Sequence, residues 1–363
     1  MASETHKTEQ KGLTAECKTA RTHGKTLGRA AKNLIALGIT IIFTVCVLNN
    51  INVETIKSTF SGFDSKSLYT LLTLFVAVMM LRTLRWRLFL PQNRCKIMPM
   101  FGIYMLSSLL NIFLPARAGD IFRGCYFGQK YEISKSEALG TVAAERIADG
   151  LTVVLILACA VVFWQKTAFT VKLVTTAAIL FVSSFLTMFY LCKYDKIGVF
   201  CGKIRGLGEK IGHAGIKNVL IKATDFAEPV LNSFTAGFKA FCNFKTLAGI
   251  TALSLVAWGG DCVFSYILVK SFGIAVPFSV SFFIVTFIAL STIIPSSSIY
   301  IGLYQYAFIL ALAIFDIDKS RALTVAVAQQ AIMLGTFAVV SVLYLFADGN
   351  AVKELKKEGE KNA

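Results

Sequence analysis

Arg117, Asp120 and Arg123 crowd the stretch Asn111-Ile-Phe-Leu-Pro115-Ala-Arg117-Ala-Gly119-Asp120-Ile-Phe-Arg123, directly after an apolar run, and Glu145, Arg146 and Asp149 lie within one helical turn of each other further on. Ionisable groups set against apolar sequence are expensive, so they are paired or line a pathway. The planar arginine fork binds phosphate oxygens bidentately. Two readings follow. Arg117 or Arg146 pairs with Asp120, Glu145 or Asp149 in a network that only pins the loop to the next helix, or at least one arginine faces a phosphate-bearing headgroup. Gly119 allows close backbone approach.

Further candidates are more dispersed. Asp261, preceded by Trp258 and flanked by Gly259 and Gly260, lies inside an apolar span. It is a counter-ion for a headgroup amine or for an arginine, and a candidate for ion or proton coupling. The run Pro295-Ser-Ser-Ser298-Ile-Tyr300-Ile-Gly302-Leu-Tyr304-Gln305 offers the hydroxyls of Ser296 and Ser298 and the amide of Gln305. These line a polar cavity or satisfy freed backbone groups. Arg82, Arg85 and Arg87 surround Trp86 at the end of a span; for Arg82 and Arg87 the expectation is interfacial snorkelling beside an aromatic belt.

Other patterns carry little. Gly206-Leu-Gly208-Glu-Lys-Ile-Gly212 is one residue off the dinucleotide fingerprint and has no strand before it. Asp316-Ile-Asp318 is a lone acidic pair between apolar segments. The three His fall in polar segments and the nine Cys are scattered, so neither a metal centre nor a disulfide framework is expected. No cofactor is called for.

The elements that must position these residues follow from composition. Of 363 residues 55% are hydrophobic and 16% charged, whereas a soluble domain carries roughly 25% charged residues. An ordinary soluble enzyme, a disordered chain and a coiled coil are excluded; the chain reads as an all-α, polytopic membrane bundle. The formal charge of +16, from 37 Lys and Arg against 21 Asp and Glu, reads as positive-inside topology or anionic lipid, not nucleic acid.

Residues 1–32 read as a basic cytoplasmic tail, 33–347 as the transmembrane domain with a basic loop at 193–245, and 348–363 as a charged C-terminal tail. Six full spans are expected at 33–48, 68–84, 147–164, 171–192, 247–269 and 322–346. Three shorter runs, 101–114, 282–294 and 299–315, suit re-entrant or broken helices, because about 14 residues reach only about 21 Å. The first two end at Pro115 and Pro295. With both termini inside, thirty of the 37 basic residues are cytoplasmic. The two proline breaks share a polar residue four positions earlier, Asn111 and Ser291, which hints at an inverted repeat meeting near the midplane.

The order Arg85-Trp86, then Asn111-x-x-x-Pro115-x-Arg117-x-Gly119-Asp120-x-x-Arg123, then Glu145-Arg146-x-x-Asp149, then Pro295 to Gln305, resembles the transmembrane region of the lysylphosphatidylglycerol synthase family, also called flippase-like domain proteins. The resemblance covers residues 30–347. It implies translocation of a lipid between leaflets in the cell membrane. It does not imply lipid aminoacylation here, since only about 17 residues follow Phe346. The family pattern of a Pro-Gly pair and a later Glu is replaced by Ser298, Ile299 and Gln305, which points away from a lysyl-type headgroup toward an anionic or glycosylated one.

On this reading the substrate-binding candidates are Asn111, Arg117, Asp120, Arg123, Glu145, Arg146 and Asp149, with Ser296, Ser298 and Gln305 from the second break. Two other functions stay open: a transferase acting on polyprenyl-phosphate-linked sugars, using Asp316/Asp318 or Glu145/Asp149, and a non-transporting scaffold. A homo-oligomer is compatible with either.

Overall fold

The long apolar runs fold as long helices and the short ones as short helices. The computed structural model of the chain describes residues 44–48, 51–90, 96–114, 117–163, 168–194, 202–203, 206, 238–292 and 302–348, and all regular structure among them is helical. In chain order the helices are α1 (Val53–Ser61), α2 (Lys66–Leu88), α3 (Ile97–Phe113), α4 (Ala118–Lys130), α5 (Lys135–Phe163), α6 (Ala168–Lys193), α7 (Phe244–Ser271), α8 (Val280–Ser291), α9 (Leu303–Ala313) and α10 (Lys319–Ala347). Of the expected span at 33–48 only residues 44–48 are described, and most of the 193–245 loop, Pro115, Pro295, Ser296 and Ser298 lie outside the described residues.

α2, α7 and α10 are each long and apolar enough to cross a bilayer, and the chain is a helical membrane protein. Their outward faces carry exposed apolar side chains, among them Leu255, Val256, Val339 and Leu343. The short helices sit differently. Every residue from Met100 to Ser107 in α3 is buried, and so are Phe283 to Thr286 in α8. A helix buried on all sides belongs to the interior, which is where broken backbone at membrane depth can be tolerated. α4 packs back on α3, and α9 on α8, so each short run is half of a helix pair with its break between.

Several boundaries move relative to the sequence reading, each for a local reason. α3 begins at Ile97 instead of 101 because Pro99 sits in the first turn, where a missing N–H costs nothing. α9 begins at Leu303, after Gly302 at φ 85, a backbone angle suited to glycine; Gln305 Oε1 accepts the Gly302 N–H at 2.8 Å. α5 begins at Lys135, so Glu145, Arg146 and Asp149 stand in the middle of a helix and not at the mouth of a span. Their polarity does not end the helix because other helices supply partners.

Two details fix how the elements meet. Trp86, expected at an interfacial belt, is fully buried: its Nε1 donates to Thr141 Oγ1 at 3.1 Å and its ring packs on Phe127 at 4.8 Å. At the other end Asp348, just past α10, accepts from Tyr126 of α4 (2.8 Å), from Tyr344 (2.6 Å) and from Lys130. Burial alone would raise the Asp348 carboxyl, but the hydrogen bonds and the Lys130 charge outweigh it and hold it below the ordinary value. The latch therefore stabilises the fold above the unfolded pKa of about 3.9 and is lost as the pH falls through the lowered value.

A Cβ on Gly119 would stand 2.1 Å from the Ser107 carbonyl oxygen and 2.7 Å from the Asn111 nitrogen, both backbone atoms of α3. Gly119→Ala must push α4 off α3, and overpacking of this kind costs about 1–3 kcal/mol. Gly259→Ala, where nothing lies within 4 Å, should be neutral or stabilise the helix by about 0.5–1 kcal/mol. Thermal unfolding of the detergent-solubilised chain checks the contrast; equal melting temperatures would refute the close α3–α4 approach.

Candidate functional site

Helical spacing gathers one face from each of several helices around a cavity of about 460 Å³. α2 offers Phe75, Met79 and Arg82; α7 offers Trp258, Asp261, Phe264 and Ser265; α10 offers Gln329, Gln330, Met333 and Phe337. Apart from the adjacent pairs Phe264–Ser265 and Gln329–Gln330, they recur at intervals of three or four residues, the repeat of one helix face. α5 adds Arg146, Asp149, Gly150 and Val153. The α3–α4 break contributes Asn111, Arg117, Asp120 and Arg123, and the end of α8 contributes Thr292. Gly150 has its place because a Cβ there would stand 2.0 Å from the ring of Phe181, which closes the cavity from α6. The lining therefore combines charged, neutral polar and apolar side chains.

An ionic cluster forms part of the cavity lining and extends behind it to Arg85 and Glu145. Glu145, with no exposure, accepts from Arg85 at 3.0 Å, from Arg123 at 2.7 Å and from the Tyr104 hydroxyl at 3.1 Å. Asp149 meets Arg85 at 2.7 Å and Arg146 at 3.3 Å, and accepts from Trp258 Nε1 at 3.0 Å. Arg85 also donates to Ser254. Asp120 faces Arg146 at 3.4 Å and Arg123 at 3.7 Å, and exchanges two hydrogen bonds with Asn111: its backbone N–H donates to Oδ1, and Nδ2 donates to its carboxylate, both at 3.0 Å. The Arg123 guanidinium lies 4.7 Å from the ring centres of both Trp86 and Tyr104.

Asp261 is held by Arg82, whose guanidinium lies 4.7 Å over Trp258. Arg82 thus turns inward, against the expectation that it snorkels to the interface. A carboxylate five helices on in sequence order, on α7, decides its direction, and the Arg82 sequence context alone does not contain it.

Arg117 is the exception. Among the described residues it has no carboxylate within ion-pair distance; its guanidinium donates to Thr292 Oγ1 at the end of α8. It precedes α4 with φ 53 and ψ 40, the left-handed region that costs a non-glycine residue roughly 1–2 kcal/mol. Strained residues of this kind concentrate at ligand clamps. The contact also joins the start of α4 to the end of α8.

Of the residues singled out in the sequence, Asn111, Arg117, Asp120, Arg123, Arg146, Asp149 and Asp261 line the one cavity. Glu145 lies behind it, as a counter-ion for the arginines. Gln305 is outside the lining: it caps α9 and donates to Gln330, which does line it. Ser296 and Ser298 lie outside the described residues. Asp318 caps α10, accepting from Ser320 N at 2.9 Å and Arg321 N at 3.2 Å, so the Asp316-x-Asp318 pair has a local structural use. The sequence reading missed Arg85, Tyr104 and Gln329. For Arg85 the signal was its three-residue offset from Arg82, which puts both on one helix face. No cluster of three or more metal-ligating side chains occurs among the described residues.

A family described as the lysylphosphatidylglycerol synthase TM region matches residues 33–341. A curated relative, the UPF0104 membrane protein MJ1078 of Methanocaldococcus jannaschii, is 25% identical over 262 residues, covering 69% of this chain and 98% of that protein. No solved structure matches the chain.

Removing one partner of the ionic cluster leaves the others charged and buried, which costs about 3–5 kcal/mol. Glu145→Gln should therefore lower the melting temperature sharply or abolish recovery of folded protein. Arg117→Ala, which breaks no ion pair, should leave the melting temperature near that of the parent. Size-exclusion profiles after heating discriminate the two; an unfolded Arg117→Ala variant beside a normal Glu145→Gln variant would invert the assignment.

Proposed function

Because the chain belongs to the family of the lysylphosphatidylglycerol synthase transmembrane region, we propose that it translocates a lipid with an anionic headgroup between the leaflets of the cell membrane. The observation that carries this reading is the charge balance of the cavity. Arg82, Arg85, Arg123 and Arg146 are matched by Asp120, Glu145, Asp149 and Asp261, while Arg117 lines the cavity with no carboxylate within ion-pair distance among the described residues. Among the described residues one guanidinium is left without a carboxylate, where the start of α4 meets the end of α8, and a phosphate is the group its fork fits. The apolar side chains of Phe75, Met79, Phe264 and Phe337 suit the first carbons of the lipid tails.

In this account both termini are cytoplasmic, as the distribution of basic residues suggests. The headgroup leaves one leaflet, shelters at Arg117 and exits at the other face, while the tails stay in lipid. Movement is downhill or coupled to an ion gradient, with Asp261 the carboxylate placed to take part, since it faces the cavity and its partner Arg82 does too.

The test is reconstitution of the full chain in phosphatidylcholine vesicles carrying tail-labelled NBD-phosphatidylglycerol, with dithionite added outside. Protein-free vesicles lose only the outer-leaflet signal. The intact chain should bleach the inner pool as well, and Arg117→Ala should slow that phase by about tenfold, the worth of one charge-assisted hydrogen bond. Bleaching that stops at the protein-free level, or an Arg117→Ala variant as fast as the parent, would overturn the proposal.

A further inference from the structure

Besides its ionic groups, the cavity is walled in part by uncharged polar side chains from α7, α9 and α10. Gln329 is 6% exposed and, among the described residues, its Oε1 has no hydrogen-bond partner; Ser265 is 1% exposed and its Oγ has none among them either. Both line the same cavity as Arg117. Beside them the Tyr304 hydroxyl donates to Met333 Sδ at 3.7 Å, a weak acceptor. Gln330 is oriented by Gln305, whose Oε1 is itself engaged at the Gly302 N–H. An unmet buried acceptor or hydroxyl costs about 1–3 kcal/mol unless something fills it.

The chemistry of what fills it is constrained. A phosphate group presents acceptors and cannot satisfy Gln329 Oε1, which is an acceptor too. Lipid tails offer no hydrogen bond. An ammonium headgroup would donate, but it would arrive without a counter-ion, because Asp261, the nearest carboxylate in sequence on the Ser265 face of α7, is already bound to Arg82. A hydroxyl can donate to Gln329 Oε1 while accepting from Ser265 Oγ, and it adds no charge. Several hydroxyls on one headgroup would meet several of these groups at once.

We infer that the cavity recognises a glycosyl or polyol phosphate, its phosphate at Arg117 and its hydroxyls at Gln329 and Ser265. This rests on the lipid-headgroup reading of the same cavity and narrows it: a bare phosphate or an amine-bearing headgroup leaves the uncharged wall unmet. A headgroup that displaces water from such groups without replacing its hydrogen bonds loses affinity.

The test is competitive lipid binding to the full chain in nanodiscs, read by native mass spectrometry. Phosphatidylinositol, a phosphate with a ring of hydroxyls, is set against phosphatidic acid with the same acyl chains. The intact chain should prefer phosphatidylinositol by about tenfold, the worth of one or two neutral hydrogen bonds. Gln329→Leu should bring that ratio close to one, Ser265→Ala should lower it, and Arg117→Ala should weaken both lipids together. Should Gln329→Leu fail to fold, Ser265→Ala carries the comparison by itself. If neither variant changes the ratio, or the intact chain binds the two lipids alike, while Arg117→Ala still weakens both, the hydroxyl assignment is wrong and the anionic-headgroup reading survives. If Arg117→Ala binds both lipids as the parent does, the headgroup reading itself falls. Added glucose 1-phosphate should not displace phosphatidylinositol at comparable concentration; displacement would make a water-soluble sugar phosphate the ligand and overturn the lipid source.

Discussion

The arginine–carboxylate cluster around Glu145 and Asp149 is the constraint on which the remaining architecture depends. Each buried ion loses several kcal/mol of hydration, and two unit charges about 3 Å apart recover about 5–6 kcal/mol at an effective dielectric of about 20. A single pair therefore roughly breaks even. Shared partners tip the balance: Glu145 has Arg85 and Arg123, with Arg146 at 3.5 Å, and Asp149 has Arg85 and Arg146, with Arg82 at 3.8 Å. Hydrogen bonds from Tyr104 and Trp258 take up further lone pairs. The cluster ties α2, α4 and α5 to each other, with α3 and α7 supplying those last donors, so the positions of five helices are set by one group of charges.

What the cluster holds in place is a break in the backbone. Arg123 and Asp120 fix the start of α4, Asn111 clasps Asp120 from the last turn of α3, and Gly119 lets the two helices touch at backbone distance. Between them Arg117 takes a left-handed conformation and projects to Thr292. A residue in that conformation persists only where its surroundings dictate it. The positive charge that faces the cavity is thus not a loose side chain; its backbone is locked by neighbours whose own charges are spent on each other. The chemistry proposed for the cavity follows from that division of labour between paired and unpaired arginines.

Much of this was legible in the sequence, and the exceptions have physical causes. Apolar run length gave the helices at 66–88, 244–271 and 319–347 to within a few residues, because a bilayer imposes a length that composition records. The short runs at 97–113 and 280–291 were recognisable by the same measure. The charged block from Asn111 to Asp149 stood out because charge is rare in such sequence. Arg82 and Arg85 did not, since an arginine at the end of an apolar run ordinarily reaches for the interface, and the carboxylates that turn these two inward are 179 and 60 residues away. Gln305 drew notice as a departure at the second break, yet its neighbour Gln330 and, beside that, Gln329 face the cavity; a neutral amide inside an apolar helix gives no sequence signal of its orientation.

The most direct test of the central claim is the lipid that accompanies the protein from its membrane. The intact chain and the Arg117→Ala variant are purified in mild detergent and their bound lipids identified by mass spectrometry against the bulk membrane. One class of anionic lipid enriched with the intact chain and lost from Arg117→Ala is the expected result. Bound lipid that mirrors the bulk membrane in both samples would contradict it, and would leave Arg117 as a structural strut between the start of α4 and the end of α8.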